Sequence, residues 1–299
     1  MRSHPVARRG ISGSVLSALL ALAAGACGSS EPTEPAVATP RVTLSRARAA
    51  AGSPIDITYR FEVASDAQIA GDYRVMLHIV DADEERMWDD DHDPPVPTSQ
   101  WKPGQVVEYT RTVFVPIFPY LGEATLNVGL YSATSQTRLV LQGEHVGQRA
   151  YRAARLEILP QTENLFTVFK DGWHPAEVAG DNAMVEWQWT KQVATLAFRN
   201  PKRDATFYLD FDSPGGDYVG AQQIQVSIGE QPLETITLEP RQRLLRRVPL
   251  TAAQIGATEV AEIQIAVDKT FLPAATPAAG SKDPRVLGIR VFHAFIEPG

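Results

Sequence analysis

An alternation of apolar and polar residues constrains the fold of this chain more than any other feature. Residues 55–63, IDITYRFEV, alternate over nine positions, as in a strand that buries one face. Residues 73–80, YRVMLHIV, are apolar on nearly both faces and predict a central strand. Because turn residues separate such runs and no long helical pattern interrupts them, the sequence predicts an all-β fold of antiparallel sheets.

The predicted strands fall into two groups along the chain. They cover residues 55–63, 73–80, 106–115, 124–131 and 152–159, and then residues 193–198, 206–212, 223–228, 235–238, 246–250, 262–267 and 286–296. A chain of 299 residues, at about 150 residues per domain, predicts two domains. We expect an immunoglobulin-like β-sandwich over residues 41–160 and a jelly-roll-like β-sandwich over residues 161–299, with one short helical turn over residues 251–255.

The N-terminus has the pattern of an export signal. Three arginines precede an apolar run, VLSALLALAA at residues 15–24, which is too short to span a bilayer as a mature helix. The run ends in small residues before Cys27, the only cysteine of the chain. A signal peptide over residues 1–26 is therefore predicted, and an ordinary secretory signal with a cysteine nearby by chance is the alternative.

The segment around Cys27 resembles the signal of bacterial lipoproteins, in which the cysteine after the cut is acylated. The resemblance implies that Cys27 carries two or more acyl chains, which suffice for stable membrane anchoring. Residues 28–40, GSSEPTEPAVATP, have three prolines and no apolar periodicity, so a flexible tether is expected over residues 27–40. Gly28 after the cysteine favours the outer membrane over the inner membrane.

Composition and motifs exclude several classes of function. A formal net charge of -7 argues against a nucleic-acid partner, which requires a basic face. A single cysteine excludes a disulfide framework and cysteine-clustered metal sites. The chain has no G-x-S-x-G elbow, no H-E-x-x-H pair and no P-loop. We therefore expect no cofactor and no catalytic centre of these types.

A cluster of tryptophans is the main candidate for a ligand site. Three of the five tryptophans lie within seventeen residues, from 173 to 189, close to acidic residues. Indole faces can stack on the apolar face of a sugar ring, while carboxylates and amides bind its hydroxyls. Indoles fill cores more often, so core packing is the favoured alternative. The candidate ligand-binding residues are Trp173, Glu177, Trp187, Trp189, Asp283 and Arg285.

An acidic segment, residues 81–93, suggests a second candidate site. Carboxylates are the oxygen ligands that calcium prefers, and a divalent cation would relieve their mutual repulsion. The spacing is not that of an EF-hand, and a solvated hairpin end is the alternative. The candidate calcium ligands are Asp81, Asp83, Asp89, Asp90 and Asp91.

A series of short motifs resembles a known family. The motifs are LHIVD at residues 77–81, DDHDP at 90–94, PTSQWKPG at 97–104, GLY at 129–131 and RL at 138–139. Together they are similar to the extracytoplasmic β-sandwich segment of bacterial membrane glycosyltransferases of the cell envelope. The chain has no multi-span catalytic domain, so the resemblance implies an accessory module that contacts polysaccharide or positions a partner.

Taken together, the sequence predicts a non-catalytic, lipid-anchored envelope protein that recognises cell-surface glycan or polysaccharide. A protein–protein scaffold without a glycan site is the first alternative, with an envelope protein as its partner. A glycoside-active enzyme is the second alternative, and it would use paired carboxylates such as Glu177 and Glu186 across a cleft.

Overall fold

The computed structural model describes residues 34–117, 120–161, 167–180, 185–213 and 219–299. Over these ranges the chain is almost entirely β-strand, and its sheets are mainly antiparallel, which confirms the predicted all-β class. The predicted signal peptide and Cys27 lie outside the described residues. No helix in the described ranges has the length and apolar character needed to cross a membrane.

Strands between residues 38 and 159 form two sheets. They are β1 (Ala38–Leu44), β2 (Arg48–Ala50), β3 (Pro54–Val63), β4 (Arg74–Val80), β5 (Arg86–Asp89), β6 (Val106–Phe114), β7 (Gly122–Tyr131), β8 (Glu144–His145) and β9 (Tyr151–Leu159). One sheet has the order β1-β3-β6, and the other has the order β2-β9-β7-β4-β5, with β8 added beside β9.

These two sheets enclose one hydrophobic core. The alternation of β3 turns Ile55, Ile57 and Phe61 inward, where they are almost completely buried. Leu77 of β4 and Leu126 of β7 meet them in the same core cluster. Burying one face of each sheet against the other removes apolar surface from water, and this drives the packing of the two layers.

The strands after residue 166 form a second pair of sheets. They are β10 (Thr167–Phe169), β11 (Glu177–Val178), β12 (Glu186–Trp189), β13 (Val193–Arg199), β14 (Ala205–Asp212), β15 (Gln222–Ile228), β16 (Gln231–Leu238), β17 (Arg243–Leu250), β18 (Val260–Val267) and β19 (Arg290–Pro298). The sheet orders are β10-β13-β18-β15-β16 and β11-β12-β19-β14-β17.

A second core lies between these two sheets. Phe207, Leu209 and Phe211 of β14 face inward and pack with Ile224 and Ile263 of the opposite sheet. The predicted helical turn is present as α1 (Ala252–Ile255), where the Thr251 side chain caps the backbone N–H of Gln254. Residues 162–166, which adjoin the predicted domain boundary, lie outside the described residues, and the boundary stays a prediction.

Three features differ from the sequence-based expectation. Strand β1 begins at Ala38, inside the predicted tether, and Ala38 is buried in the first core. The acidic segment contains a strand, β5, that pairs with β4. Strand β2 pairs with β9 in the parallel direction. Each of these strands is short or contains proline, so its pattern was too weak to predict it.

The PTSQWKPG motif has a structural role. The Thr98 hydroxyl accepts a hydrogen bond from Tyr73 N (2.7 Å) and donates to the carbonyl of Gly71 (3.0 Å). Trp101 is buried in the first core, and its indole N–H donates to the carbonyl of Val96 (2.9 Å). The motif therefore fixes a loop over the edge of the first core.

Candidate ligand-binding surface

The outward face of the sheet β11-β12-β19-β14-β17 brings several candidate residues together. In the antiparallel register, Trp189 lies opposite Arg290, and Arg290 lies opposite Asp212. Trp187 and Trp189 leave β12 on the same side because they are two residues apart. Phe292, an extra residue at a register shift in β19, lies beside them. We call Trp187, Trp189, Arg290 and Phe292 the aromatic–arginine face.

Arg290 organises this face. Its guanidinium forms two hydrogen bonds with the Asp212 carboxylate, at 2.9 and 2.6 Å. The guanidinium carbon lies 4.9 Å from the ring centroid of Trp187, 6.0 Å from that of Trp189 and 5.0 Å from that of Phe292. A cation within about 6 Å of a ring centroid is attracted by the negative ring face. The three rings are therefore held around one fixed cation.

The three clustered tryptophans have different surroundings. Trp173 packs against the second core, and its indole N–H donates to the carbonyl of Thr195 (2.8 Å). Trp189 is only 8% exposed and contacts Phe271 edge-on at 5.9 Å. Trp187 is half-buried, and its Nε1 has no hydrogen-bond partner among the described residues. Trp189 is therefore buried, whereas Trp173 and Trp187 are both half-buried. Trp173 packs against the second core, and Trp187 lies on the outward face beside Glu177.

The charged candidate residues form a cluster at the edge of this face. Arg285 binds the Asp283 carboxylate with its Nε (3.0 Å) and Nη2 (2.6 Å), and its Nη1 lies 2.6 Å from Glu177 Oε1. Hydrogen bonds from Arg285 hold the pKa of Asp283 below its usual value. Glu177 lies directly opposite Trp187 in the β11–β12 pair, so the two side chains share a face. Five of the six candidate residues are thus neighbours.

The proposed carboxylate pair of the enzyme alternative is not formed. Glu177 pairs with Trp187, and Glu186 pairs with Val178, the next position along β11. Successive residues of a strand point to opposite faces of the sheet. Glu177 and Glu186 therefore leave opposite faces and cannot act on one glycosidic bond across a cleft.

A second charged group, which sequence analysis missed, extends the same outward face along β14. Asp210 receives two hydrogen bonds from Arg243, at 2.8 and 2.7 Å, and one from His293 Nδ1 at 2.9 Å. Burial raises the pKa of Asp210, but these hydrogen bonds outweigh burial and leave the pKa below its usual value. The signal in the sequence was the outward position of Asp210 in a strand with an apolar inner face.

Residues of the first pair of sheets and of the loops that connect its strands contact His293 and the neighbouring side chains Arg247 and Glu297. The ring of Phe114 stacks on His293 at a centroid distance of 4.0 Å. Arg247 forms an ion pair with Asp56, and Arg46 forms one with Glu297. The Tyr208 hydroxyl donates to Glu297 (2.8 Å), and burial together with this bond raises the pKa of Tyr208 to about 12. These contacts involve outward side chains of β19, β14 and β17, and the tryptophan end of the face is not part of them.

The candidate calcium ligands have other partners. Asp90 accepts hydrogen bonds from the Tyr59 hydroxyl (2.7 Å) and from Arg111 Nε and Nη2 (2.9 and 2.8 Å). Asp91 accepts one from Leu77 N (3.0 Å). Asp81 stabilises its own turn by accepting hydrogen bonds from the backbone N–H groups of residues 83 and 85.

The remaining two carboxylates are exposed, and Asp89 lies 3.9 Å from Arg86 while Asp83 lies in the turn. Across the described part of the chain, no three His, Cys, Asp or Glu residues are grouped so that they could hold a metal ion. The dense charge made these five carboxylates candidate calcium ligands, and in the described residues they have separate partners or face solvent. The Asp90 side chain points inward to Tyr59 and Arg111, and the side chains of Asp83 and Asp89 are exposed to solvent.

Comparisons with known proteins give distant architectural likeness. No family model matches the chain, and no curated protein matches it. A carbohydrate-binding module, CBM36 in complex with calcium and xylotriose, aligns at 14% identity and a TM-score of 0.26, covering 45% of this chain and 99% of the module. The CBM22-1-CBM22-2 tandem of Paenibacillus barcinonensis Xyn10C aligns at 9% identity and a TM-score of 0.28, covering 83% of this chain and 79% of the tandem.

A third solved structure is SGBP-B of the Bacteroides ovatus mixed-linkage glucan utilization locus with a mixed-linkage heptasaccharide. It aligns at 10% identity and a TM-score of 0.27, covering 87% of this chain and 53% of that protein. Values this low do not indicate what the present chain binds.

Proposed function

We propose that this protein is a non-catalytic glycan-recognition protein of the cell envelope, and that a sugar binds beside Trp187. The observation that carries this proposal is the position of a half-buried indole directly opposite Glu177, with Arg285 and Asp283 next to it. A ring surface next to fixed polar groups suits a sugar, because the ring packs on the apolar face of the sugar and the polar groups bind its hydroxyls.

The polar groups of this site are held in place by their ion pairs. Arg285 is bound by two carboxylates, Asp283 and Glu177, so neither acid has to be ordered when a ligand arrives. The carboxylate oxygens that remain free can accept hydrogen bonds from sugar hydroxyls. The guanidinium N–H groups supply donors of fixed direction.

Replacing Trp187 with alanine is expected to weaken polysaccharide binding at least tenfold. Truncating a central aromatic residue of a binding site commonly costs more than about 1 kcal/mol, and about 1.4 kcal/mol corresponds to tenfold. The measurement is affinity electrophoresis of the full chain through gels that contain a soluble β-glucan, a xylan or a galactomannan.

Phe169→Ala is the matched control for Trp187→Ala, because Phe169 is an exposed aromatic residue on the opposite sheet of the same half. Its binding should equal that of the wild type. Equal retardation of the Trp187→Ala variant and the wild type would remove the site from consideration. Binding to none of the polysaccharides, with an envelope protein copurifying instead, would favour the scaffold alternative.

The proposed location rests on the residues before the first strand. Acylation of Cys27 would place the folded part outside the cytoplasmic membrane on a tether that ends where β1 begins, at Ala38. In cells that express the wild type, labelled palmitate should be incorporated into this protein, and the labelled protein should be recovered in the outer-membrane fraction. Cys27→Ser should abolish the label, while a Ser29→Ala control should keep it. Label retained by Cys27→Ser would contradict the lipid anchor.

A further inference from the structure

A shallow groove crosses the outward face of the other sheet of the second half, β10-β13-β18-β15-β16. Its volume is about 370 Å³, and its lining includes Val193, Gln223, Gln225, Thr235, Ala266 and Asp268. The antiparallel register places Thr235 opposite Gln225, Gln225 opposite Ala266, and Ala266 opposite Val193. One row of side chains therefore runs across four strands.

The groove presents hydrogen-bonding groups without charge along this row. Gln225 and Thr235 are exposed, and their side chains form no hydrogen bond with another described residue. Each amide offers two donors and one acceptor, and the hydroxyl offers both. Gln223 and Thr237 lie next to them and hydrogen-bond to each other at 3.0 and 3.2 Å. This arrangement keeps the neighbouring amide in a fixed orientation.

The shape of the row suits a chain-like ligand. The small side chain of Ala266 forms the floor, and Val193, which is 47% exposed, supplies apolar surface at one end. Asp268 closes the groove, and its Oδ1 already accepts a hydrogen bond from Gln223 N (2.7 Å). Strands lie about 4.8 Å apart, so a row across four of them is about 14 Å long, the length of a short oligosaccharide.

The chemistry of the groove selects among possible ligands. A nucleic acid or an acidic polymer requires cations, and the row from Thr235 to Val193 has none. A hydrophobic protein partner requires a larger apolar patch than Val193 and Ala266 provide. Sugar hydroxyls, in contrast, both donate and accept hydrogen bonds, as the uncharged amides and hydroxyl groups of this row do. On these grounds we infer that the groove is a second glycan-binding site, which takes a neutral polysaccharide chain lying across β13, β18, β15 and β16.

This inference rests on the proposed function, because it assigns the same class of ligand to a second surface of the same half. The test is affinity electrophoresis of the full chain in the three neutral polysaccharides named above and in polygalacturonate. Gln225→Ala removes a free amide, and Ala266→Glu fills the floor with a charged side chain. Gln231→Ala is the matched control, since it removes an exposed amide from the same sheet outside the groove.

We expect Gln225→Ala to weaken binding to a neutral polysaccharide about fivefold and Ala266→Glu to weaken it more than tenfold. Gln231→Ala should bind like the wild type, and all variants should keep the wild-type melting temperature within about 2 °C. If both groove variants bind like the wild type and Trp187→Ala loses binding, the groove is not a glycan site and the proposed site beside Trp187 stands. If both groove variants lose binding and Trp187→Ala binds like the wild type, the groove is the glycan site and the proposed site beside Trp187 is wrong. Binding by the wild type to polygalacturonate alone would overturn the inference.

Discussion

Replacing Gly172 with alanine is expected to prevent the second half of the chain from folding. Gly172 has a backbone φ of +85°, and a Cβ atom there would lie 1.9 Å from the carbonyl oxygen of Val193 and 2.7 Å from Ala194 Cα. Both atoms belong to the backbone of β13, a strand of the core, so neither can move away cheaply. We expect a loss of more than about 4 kcal/mol in the free energy of unfolding, the range of severe core substitutions.

Substitutions at two further glycines are controls that separate two effects on stability, the steric clash of a Cβ atom and the strain of a positive φ. Gly104 has φ +75° and no atom within 4 Å of the position that a Cβ would take, and Gly180 lies in open space. Gly104→Ala should cost about 1–2 kcal/mol from the left-handed conformation alone, and Gly180→Ala should cost almost nothing. Thermal unfolding of the full chain by circular dichroism measures all three. A Gly172→Ala variant that melts like Gly104→Ala would contradict the close contact with β13.

Replacing Asp90 with asparagine is expected to lower the free energy of unfolding more than the removal of any other single charge. The Asp90 side chain is 9% exposed and holds Arg111, whose side chain is 40% exposed. It also accepts the hydroxyl of Tyr59, which is fully buried. Breaking a buried pair costs about 3–5 kcal/mol, and the partial exposure of Arg111 reduces this to about 2–3 kcal/mol.

The hydrogen-bond network around Asp90 supports this expectation. His92 is buried, its Nδ1 donates to the carbonyl of Asp90 (2.6 Å), and its Nε2 accepts from the Tyr109 hydroxyl (2.8 Å). Burial lowers the pKa of His92, so the imidazole is neutral near pH 7 and contributes no charge to Arg111. The Asp90 carboxylate is therefore the counter-ion of that guanidinium inside the network.

The neighbouring acid gives a matched control for Asp90→Asn. Asp89 is 46% exposed and lies 3.9 Å from Arg86, so Asp89→Asn should change stability by less than about 0.5 kcal/mol. Hydrogen exchange of the amides in β3 and β6 reports the stability of the first half separately from that of the second. Equal protection of these amides in Asp90→Asn and Asp89→Asn would show that the Asp90–Arg111 pair contributes nothing to the stability of the first half.

Regular strands were predictable because each has one face in a core. The alternation over residues 55–63 and 206–212 gave β3 and β14 nearly at their observed ends, since burial on one side leaves a period of two in the sequence. Strands β5, β8, β11 and β12 have two to four residues, too few for a period to appear. β11 and β12 nevertheless position the tryptophan site.

The tryptophans show why a site is harder to predict than a strand. Trp173 and Trp187 have the same side chain and similar acidic neighbours in sequence. Their difference comes from pairing, since Trp173 packs on the second core while Trp187 lies opposite Glu177 on the outward face. Arg285, which also binds Asp283, reaches Glu177 of the edge strand β11 because the segment before β19 lies beside that strand.

Residue type and spacing alone determined that this chain folds into β-sheets that each turn an apolar face inward. A strand with one buried face needs an apolar residue at every second position, and this alternation is visible in the sequence. The tertiary structure decided which acids carry a partner and which aromatic surface stays accessible. Those properties depend on the register between strands far apart in the chain, where a shift of one residue moves a side chain to the other face. Local sequence does not encode that register, and the packing of both cores selects it.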